Sequence, residues 1–229
     1  MKNRIFCSIT LVASLWLSSP TYADERPCCR DESNWYIGAS GMGVLPNQVS
    51  LDENTPTFGQ QSYDLKTGIG FSGLAGYQFY PNASIELEVI AQQSSMDKST
   101  IASVAGNNGK GAQRNQAIMI NHRWIYRNMG SIAPYVAAGG GMMKIRAPFA
   151  EVITVGPSTE SQKVSDTVLA YQFMAGVNFA VPNSKFEFFG GYSYVGTQQG
   201  EVKFTIIPGY SQKFDASSHN IEIGGRMRF

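Results

Sequence analysis

The chain has 229 residues and a net charge of +1, with only 15% charged residues beside 43% hydrophobic ones. So even a balance provides no basic face for nucleic acid. After the N-terminal 23 residues no apolar run approaches the ~20 residues of a spanning helix, and the length suits one domain.

Residues 1–23 come first. Lys2 and Arg4 form a basic start, Ile5 to Leu17 an apolar stretch, and Thr21-Tyr22-Ala23 a small-x-small site before Asp24-Glu25. This pattern predicts a secretory signal peptide. A membrane anchor is the alternative, but the apolar stretch is too short for one. Residues 24–33 then form a short periplasmic N-terminal segment. Cys7 leaves with the signal, so Cys28 and Cys29 are the remaining cysteines and no disulfide can staple the domain. Export implies an oxidising compartment. The adjacent pair reads as a vicinal disulfide, as two capped thiols, or as an intermolecular bridge. Glu25, Arg26 and Pro27 before Cys28 do not make a lipoprotein signal.

From residue 34 the chain reads as eight strands, over about 34–43, 67–79, 84–93, 113–126, 133–146, 166–181, 186–195 and 214–229. The last alternates most plainly. Ile221, Ile223, Met227 and Phe229 share one face, and Asn220, Glu222, Arg226 and Arg228 the other. Such period-2 alternation predicts a strand with one apolar and one polar face. The connections at 80–83, 127–132 and 181–184 are short, and two carry Pro-Asn, which suits a turn. Those near 44–66, 94–112, 147–165 and 196–213 are long and polar. Long and short alternate throughout, as in a transmembrane β-barrel with short periplasmic turns and long outer loops. The fold expected is all-β, an eight-stranded antiparallel up-and-down transmembrane β-barrel over residues 34–229.

The apolar faces are expected to meet lipid. Ile85, Leu87, Val89 and Ala91 alternate with Ser84, Glu86, Glu88 and Gln92. Turned outward, the apolar set leaves the charges inside; turned inward, it would suit a soluble lipocalin-type barrel. The gathering of Trp35, Tyr36, Phe79, Tyr80, Trp124, Tyr126, Tyr135, Phe179, Phe186 and Phe229 beside the short turns favours lipid, since amphipathic rings suit a membrane interface. The expected interior charge network is then Glu86, Glu88, Arg123, Lys144, Arg146, Glu187, Glu222, Arg226 and Arg228. Simple register sets Glu86 opposite Arg123 and Glu187 opposite Arg228. Eight strands leave a lumen just wide enough to fill with side chains, and buried charges persist only when paired. A salt-bridged polar plug is expected, with Gly68, Gly70, Gly76 and Gly176 making room for it.

The segments WYIGASGMG, GLAGYQF, SIELEV, IMINHRWIY, PYVAAGGGM, AYQFMAGVNF and HNIEIGGRMRF, in this order, resemble the small outer-membrane barrels of the OmpA, OmpX and opacity-protein type. The resemblance covers nearly all of the chain after residue 33. It implies location in the outer membrane of a Gram-negative bacterium after Sec export, with outer-membrane lipid and lipopolysaccharide as surroundings. It also implies assembly through the barrel-assembly machinery guided by Phe229, and variable surface loops that meet host or surface ligands. A barrel without the periplasmic peptidoglycan-binding domain of larger members is expected.

No HExxH, paired CxxC or P-loop occurs, so no catalytic, cofactor or metal residue is assigned. Because some small barrels modify lipids with a His/Ser/acid set on the bilayer face, His219 with Ser217, Ser218 and Asp215 is the candidate set for such chemistry; His122 lies too far away to join it. The leading expectation is a non-catalytic surface protein with four long outer loops and a filled polar interior. A narrow pore and a lipid-A-modifying enzyme are the alternatives. Val152 to Val155 and Phe204 to Ile207 are β-branched or aromatic runs that either offer strand edges to partners or lengthen the hairpins.

Overall fold

The computed structural model describes residues 34–47, 49–53, 61–63, 65–95, 112–127, 131–147, 152–155, 158–161, 164–198, 200–203, 211–214 and 216–229. The expected signal peptide, Cys28, Cys29, Asp215 and Phe204 to Ile207 lie outside them. In chain order the strands are β1 (Trp35–Pro46), β2 (Val49–Glu53), β3 (Gln61–Tyr63), β4 (Gly68–Tyr80), β5 (Ala83–Ser95), β6 (Ala112–Ile125) and β7 (Ile132–Ala147). They continue as β8 (Val152–Val155), β9 (Ser158–Ser161), β10 (Val164–Ala180), β11 (Phe186–Thr197), β12 (Gly200–Lys203), β13 (Ser211–Phe214) and β14 (Ser217–Arg228). The described residues contain no helix.

Eight of these strands close into an antiparallel barrel in the order β1-β14-β11-β10-β7-β6-β5-β4, sealed by the pairing of β1 with β4. Closure satisfies the backbone of every strand and leaves no edge, which a lipid environment demands. Two short connections set the register at one end. Pro81 and Asn82 turn β4 into β5, with Phe79 pushed out at a register shift between Gln78 and Tyr80. Asn183 turns β10 into β11 at φ 58°, a left-handed conformation that Asn tolerates.

At the other end the connections form structure of their own. β8 pairs with β9, so the Val152–Val155 run lengthens a hairpin. β12, β13, β2 and β3 form a four-stranded sheet in that order. It joins the first long connection to the last through Gln212 opposite Glu53 and Lys213 opposite Asp52.

Burial settles which face is which. Along β5, Ile85, Leu87 and Val89 are exposed while Ser84, Glu86, Glu88 and Gln92 are buried. The exposed apolar set continues round the barrel through Ile37, Ile69, Phe71, Ile118, Ile120, Val136, Met142, Leu169, Phe173, Val177, Phe188, Ile221 and Ile223. A soluble barrel would show the reverse pattern. Trp35, Phe79, Tyr80, Trp124, Tyr126, Phe179, Phe186 and Phe229 ring the outside of the short-turn end. Tyr36 and Tyr135 were expected in that girdle but point into the barrel, because their positions have inward parity. A second aromatic group lies farther along the strands, where Tyr192 and Tyr194 pack on His219 and Tyr171 on Tyr194.

Candidate functional site in the barrel lumen

The lumen has two layers. Toward the short-turn end, Glu86 is the hub of a buried charge network. Its carboxylate accepts from the Tyr36 hydroxyl at 2.7 Å and pairs with Arg123 Nε at 3.0 Å and Arg226 Nη1 at 3.5 Å. Arg226 donates to Asn178 Oδ1 at 2.8 Å and lies 3.7 Å from Glu187. Glu187 also pairs with Arg228 Nη2 at 3.2 Å, and Arg228 reaches Gln78 at the rim at 2.6 Å. Asn121 Nδ2 donates to Glu88 at 2.8 Å, and the Tyr135 hydroxyl donates to Glu222 at 3.4 Å.

Aromatic rings lie against the two buried guanidinium groups. Arg123 lies 4.0 Å over Tyr135. Arg226 lies 5.3 Å from the Tyr36 ring and 5.1 Å from Phe189. Cation–π attraction in a desolvated setting contributes up to ~2 kcal/mol and offsets part of the cost of burying each cation. Backbone spacing explains how the rings fit. Tyr36 faces Gly76 and Tyr135 faces Gly176 across the ladder. A Cβ at Gly76 would collide with the Tyr36 ring and lie 2.5 Å from its hydroxyl, and one at Gly176 would lie 2.8 Å from the Tyr135 hydroxyl. The inward glycines therefore make room for tyrosines, and the tyrosines in turn cap the arginines.

Toward the long-connection end the filling changes character. Met42, Val44, Ile90, Ala117, Met119, Met143, Ile145, Val168, Ala170 and Val195 form a buried apolar cluster. Polar belts cross the lumen as well: Ser40 to Ser72 at 2.9 Å, and, at the level of Met42, Gln92 to Asn220 at 3.3 Å. The uniformly polar plug expected from the alternation thus holds for only part of the lumen. Methionine and β-branched side chains fill much of the remainder, with Gln92 and Asn220 buried among them.

Two further expectations are corrected. Lys144 and Arg146 are not in the interior network; they are exposed on the outer face, and Met143 and Ile145 take the inward positions. Gly and Ala on both faces of β7 hide its parity, and these two charges stand beyond the apolar band, where an outward cation costs little. The register also differs by two residues from the simple one. Glu86 lies opposite Asn121, with Arg123 opposite Ser84, and Glu187 lies opposite Arg226. The pairs Glu86–Arg123 and Glu187–Arg228 still form, because long side chains reach diagonally. Glu86, Glu88, Arg123, Glu187, Glu222 and Arg226 are buried, and Arg228 is half-buried at the rim. The residues missing from the expected site are Tyr36, Tyr135, Asn121 and Asn178. An inward aromatic facing glycine was the signal that could have found the first two.

The His219 set does not assemble among the described residues. Its Nδ1 contacts the Tyr192 hydroxyl, while Ser217 accepts a hydrogen bond from Asn47 Nδ2 at 2.8 Å. Ser218 has inward parity and is buried. Among the described residues no cluster of His, Cys, Asp and Glu could hold a metal ion.

A closed eight-stranded barrel with lipid-compatible outside and charges within defines an integral outer-membrane barrel. The chain belongs to the family of the outer membrane protein beta-barrel domain, whose profile matches residues 9–229. It is accordingly a protein of the Gram-negative outer membrane. Among solved structures it is similar to the Neisserial surface protein NspA, at 14% identity over 87% of this chain and 100% of that one, with TM-score 0.52. It is also similar to OprG from Pseudomonas aeruginosa, at 8% identity over 86% and 97%, with TM-score 0.55. A third likeness is to AlkL as determined in lipid bilayers, at 14% identity over 93% and 97%, with TM-score 0.54. At such identities the likeness is one of fold. No curated protein sequence matches the chain significantly.

Proposed function

We propose that the protein is a non-catalytic barrel that presents its four long connections outside the cell for structural or ligand contact, with a lumen closed to ion flow. The observation that carries this reading is the double filling of the lumen, a buried Arg/Glu/Tyr layer below and a methionine-rich apolar layer above. A conducting path would have to break both. Support for the interaction role comes from the four-stranded sheet that ties the first and last long connections together. Paired strands hold a presented surface with less ordering cost on binding than free loops. Residues 1–23 act in this reading as the export signal, and the Phe229 strand as the segment that the assembly machinery engages.

Two measurements test it together. The barrel reconstituted in planar bilayers is expected to show no steady ion conductance. Replacing residues 148–163 and 199–215 with short Gly-containing turns is expected to leave heat-modifiable barrel in the outer membrane while adhesion of the expressing cells is lost. Steady conductance by the intact barrel, or undiminished adhesion by the trimmed one, would overturn the proposal.

A further inference from the structure

The outer face of the barrel changes from apolar to polar at one row of the ladder. On β6, β7 and β10 the last apolar row is Ile118, Met142 and Leu169, which are cross-strand neighbours. The next outward row is Gln116, Lys144 and Thr167, and the one beyond it is Arg114, Arg146 and Ser165. All six of these polar side chains are exposed. Two residues along a strand advance roughly 7 Å, less when the strand is tilted. The headgroup layer adds about 5–8 Å beyond each side of the hydrocarbon core. With Leu169 at the core edge, Lys144 lies within that layer, and Arg146 and Arg114, one row farther, start just outside it with side chains long enough to reach back into it.

Three cations therefore share one patch within reach of the headgroups. Arg114 and Arg146 face each other directly across the ladder, where side chains start about 5 Å apart. Like charges in that arrangement repel and destabilise the pairing, so an anion between them would be favoured. Among the described residues no carboxylate pairs with them. Asp166, on the adjoining strand, has inward parity, and its Oδ1 accepts from the Thr167 amide at 2.7 Å. Among the described residues, Arg114, Lys144 and Arg146 form no hydrogen bond or ion pair with any partner. The patch is also confined to one arc. On β10, β11 and β14 the outer face carries Tyr171, Tyr192, Tyr194 and His219, with Tyr171 one row inside Leu169.

We propose that Arg114, Lys144 and Arg146 form a binding site for the phosphate of a lipid headgroup in the outer leaflet. Guanidinium groups match phosphate oxygens with paired N–H donors, Lys144 adds a point charge, and the apolar row beneath receives the acyl chains. The site stands on the strand faces and holds whether or not the loops bind a ligand.

The test uses the full-length protein folded into phosphatidylcholine vesicles that contain lipid A, dephosphorylated lipid A, or neither, read by the temperature at which the heat-modifiable barrel unfolds. Lipid A is expected to raise that temperature for the wild type, and dephosphorylated lipid A to leave it unchanged. The triple variant R114Q/K144Q/R146Q is expected to lose the shift while unfolding as a normal heat-modifiable barrel in phosphatidylcholine alone. The same shift in the triple variant, or an equal shift with dephosphorylated lipid A, would overturn the proposal. So would an equal shift when inorganic phosphate or a soluble heparin fragment replaces lipid A, since the ligand would then not be a lipid. The wild-type comparison of the two lipid A forms decides the matter even if the variant folds poorly.

Discussion

Removing Glu86 tests the lumen most directly. Glu86→Ala deletes the acceptor of the Tyr36 hydroxyl and the partner of Arg123 at 3.0 Å and Arg226 at 3.5 Å. Arg226 keeps Asn178 and Glu187, so it is only partly orphaned. Arg123 keeps its place over the Tyr135 ring but loses its carboxylate while remaining 1% exposed. Removing one member of a buried pair costs about 3–5 kcal/mol, and we expect Glu86→Ala to fall in that range. Replacing both members, as Glu86→Met with Arg123→Met, leaves no uncompensated charge at their contact and is expected to cost less than the sum of the single changes by about 1–3 kcal/mol. A urea unfolding and refolding titration in lipid vesicles measures Glu86→Ala and the four proteins of the methionine cycle. A loss under about 1 kcal/mol for Glu86→Ala, against the cost expected for an orphaned buried charge, would refute the assignment of Glu86 as hub. Strict additivity in the cycle would refute its coupling to Arg123.

Other consequences follow from the same geometry. Leu87 is exposed amid Ile85 and Val89 on the lipid face, so Leu87→Arg should cost about 2–4 kcal/mol near the bilayer midplane, whereas Gln93→Arg, outward and past the last apolar residue of β5, should cost about 0–1 kcal/mol near the interface; equal losses in a lipid refolding titration would contradict the lipid-face assignment. Ser84 and Gln92 are not neutral controls for this comparison, because both are packed inside the lumen. Gly76→Ala should lose about 1–3 kcal/mol by overpacking Tyr36 and be largely rescued by Tyr36→Leu, and an unrescued loss would place the clash elsewhere. Phe229 carries an exposed ring at the short-turn rim and donates its amide to the Trp35 carbonyl at 3.2 Å; Phe229→Ser should lower the yield of heat-modifiable protein in the outer membrane, and unchanged surface-exposed protein would count against that.

How much was legible in the sequence varies with the strand. In β5, Glu86 and Glu88 between Ile85, Leu87 and Val89 state the inside and outside without ambiguity, since lipid tolerates one set and not the other. In β7, glycine and alanine occupy both faces and carry no solvation preference, so Lys144 and Arg146 could be set on the wrong side. The alternation of short and long connections, together with the parity of β5, β6, β10 and β14, was enough to determine a closed eight-stranded antiparallel barrel with lipid outside. That is because strand periodicity and burial are local properties of the chain. Which guanidinium meets which carboxylate is not local. It depends on the register of β5 against β6 and of β11 against β14, which a two-residue shift changes, and on side chains that cross the lumen from strands far apart in sequence. Tyr36 reaching Glu86 and Arg226 reaching Asn178 exist only once the barrel closes. The same holds for the pairing of Gln212 with Glu53 beyond the barrel and for the facing of Arg114 and Arg146. Each needs two distant segments brought to one ladder, and only the tertiary structure does that.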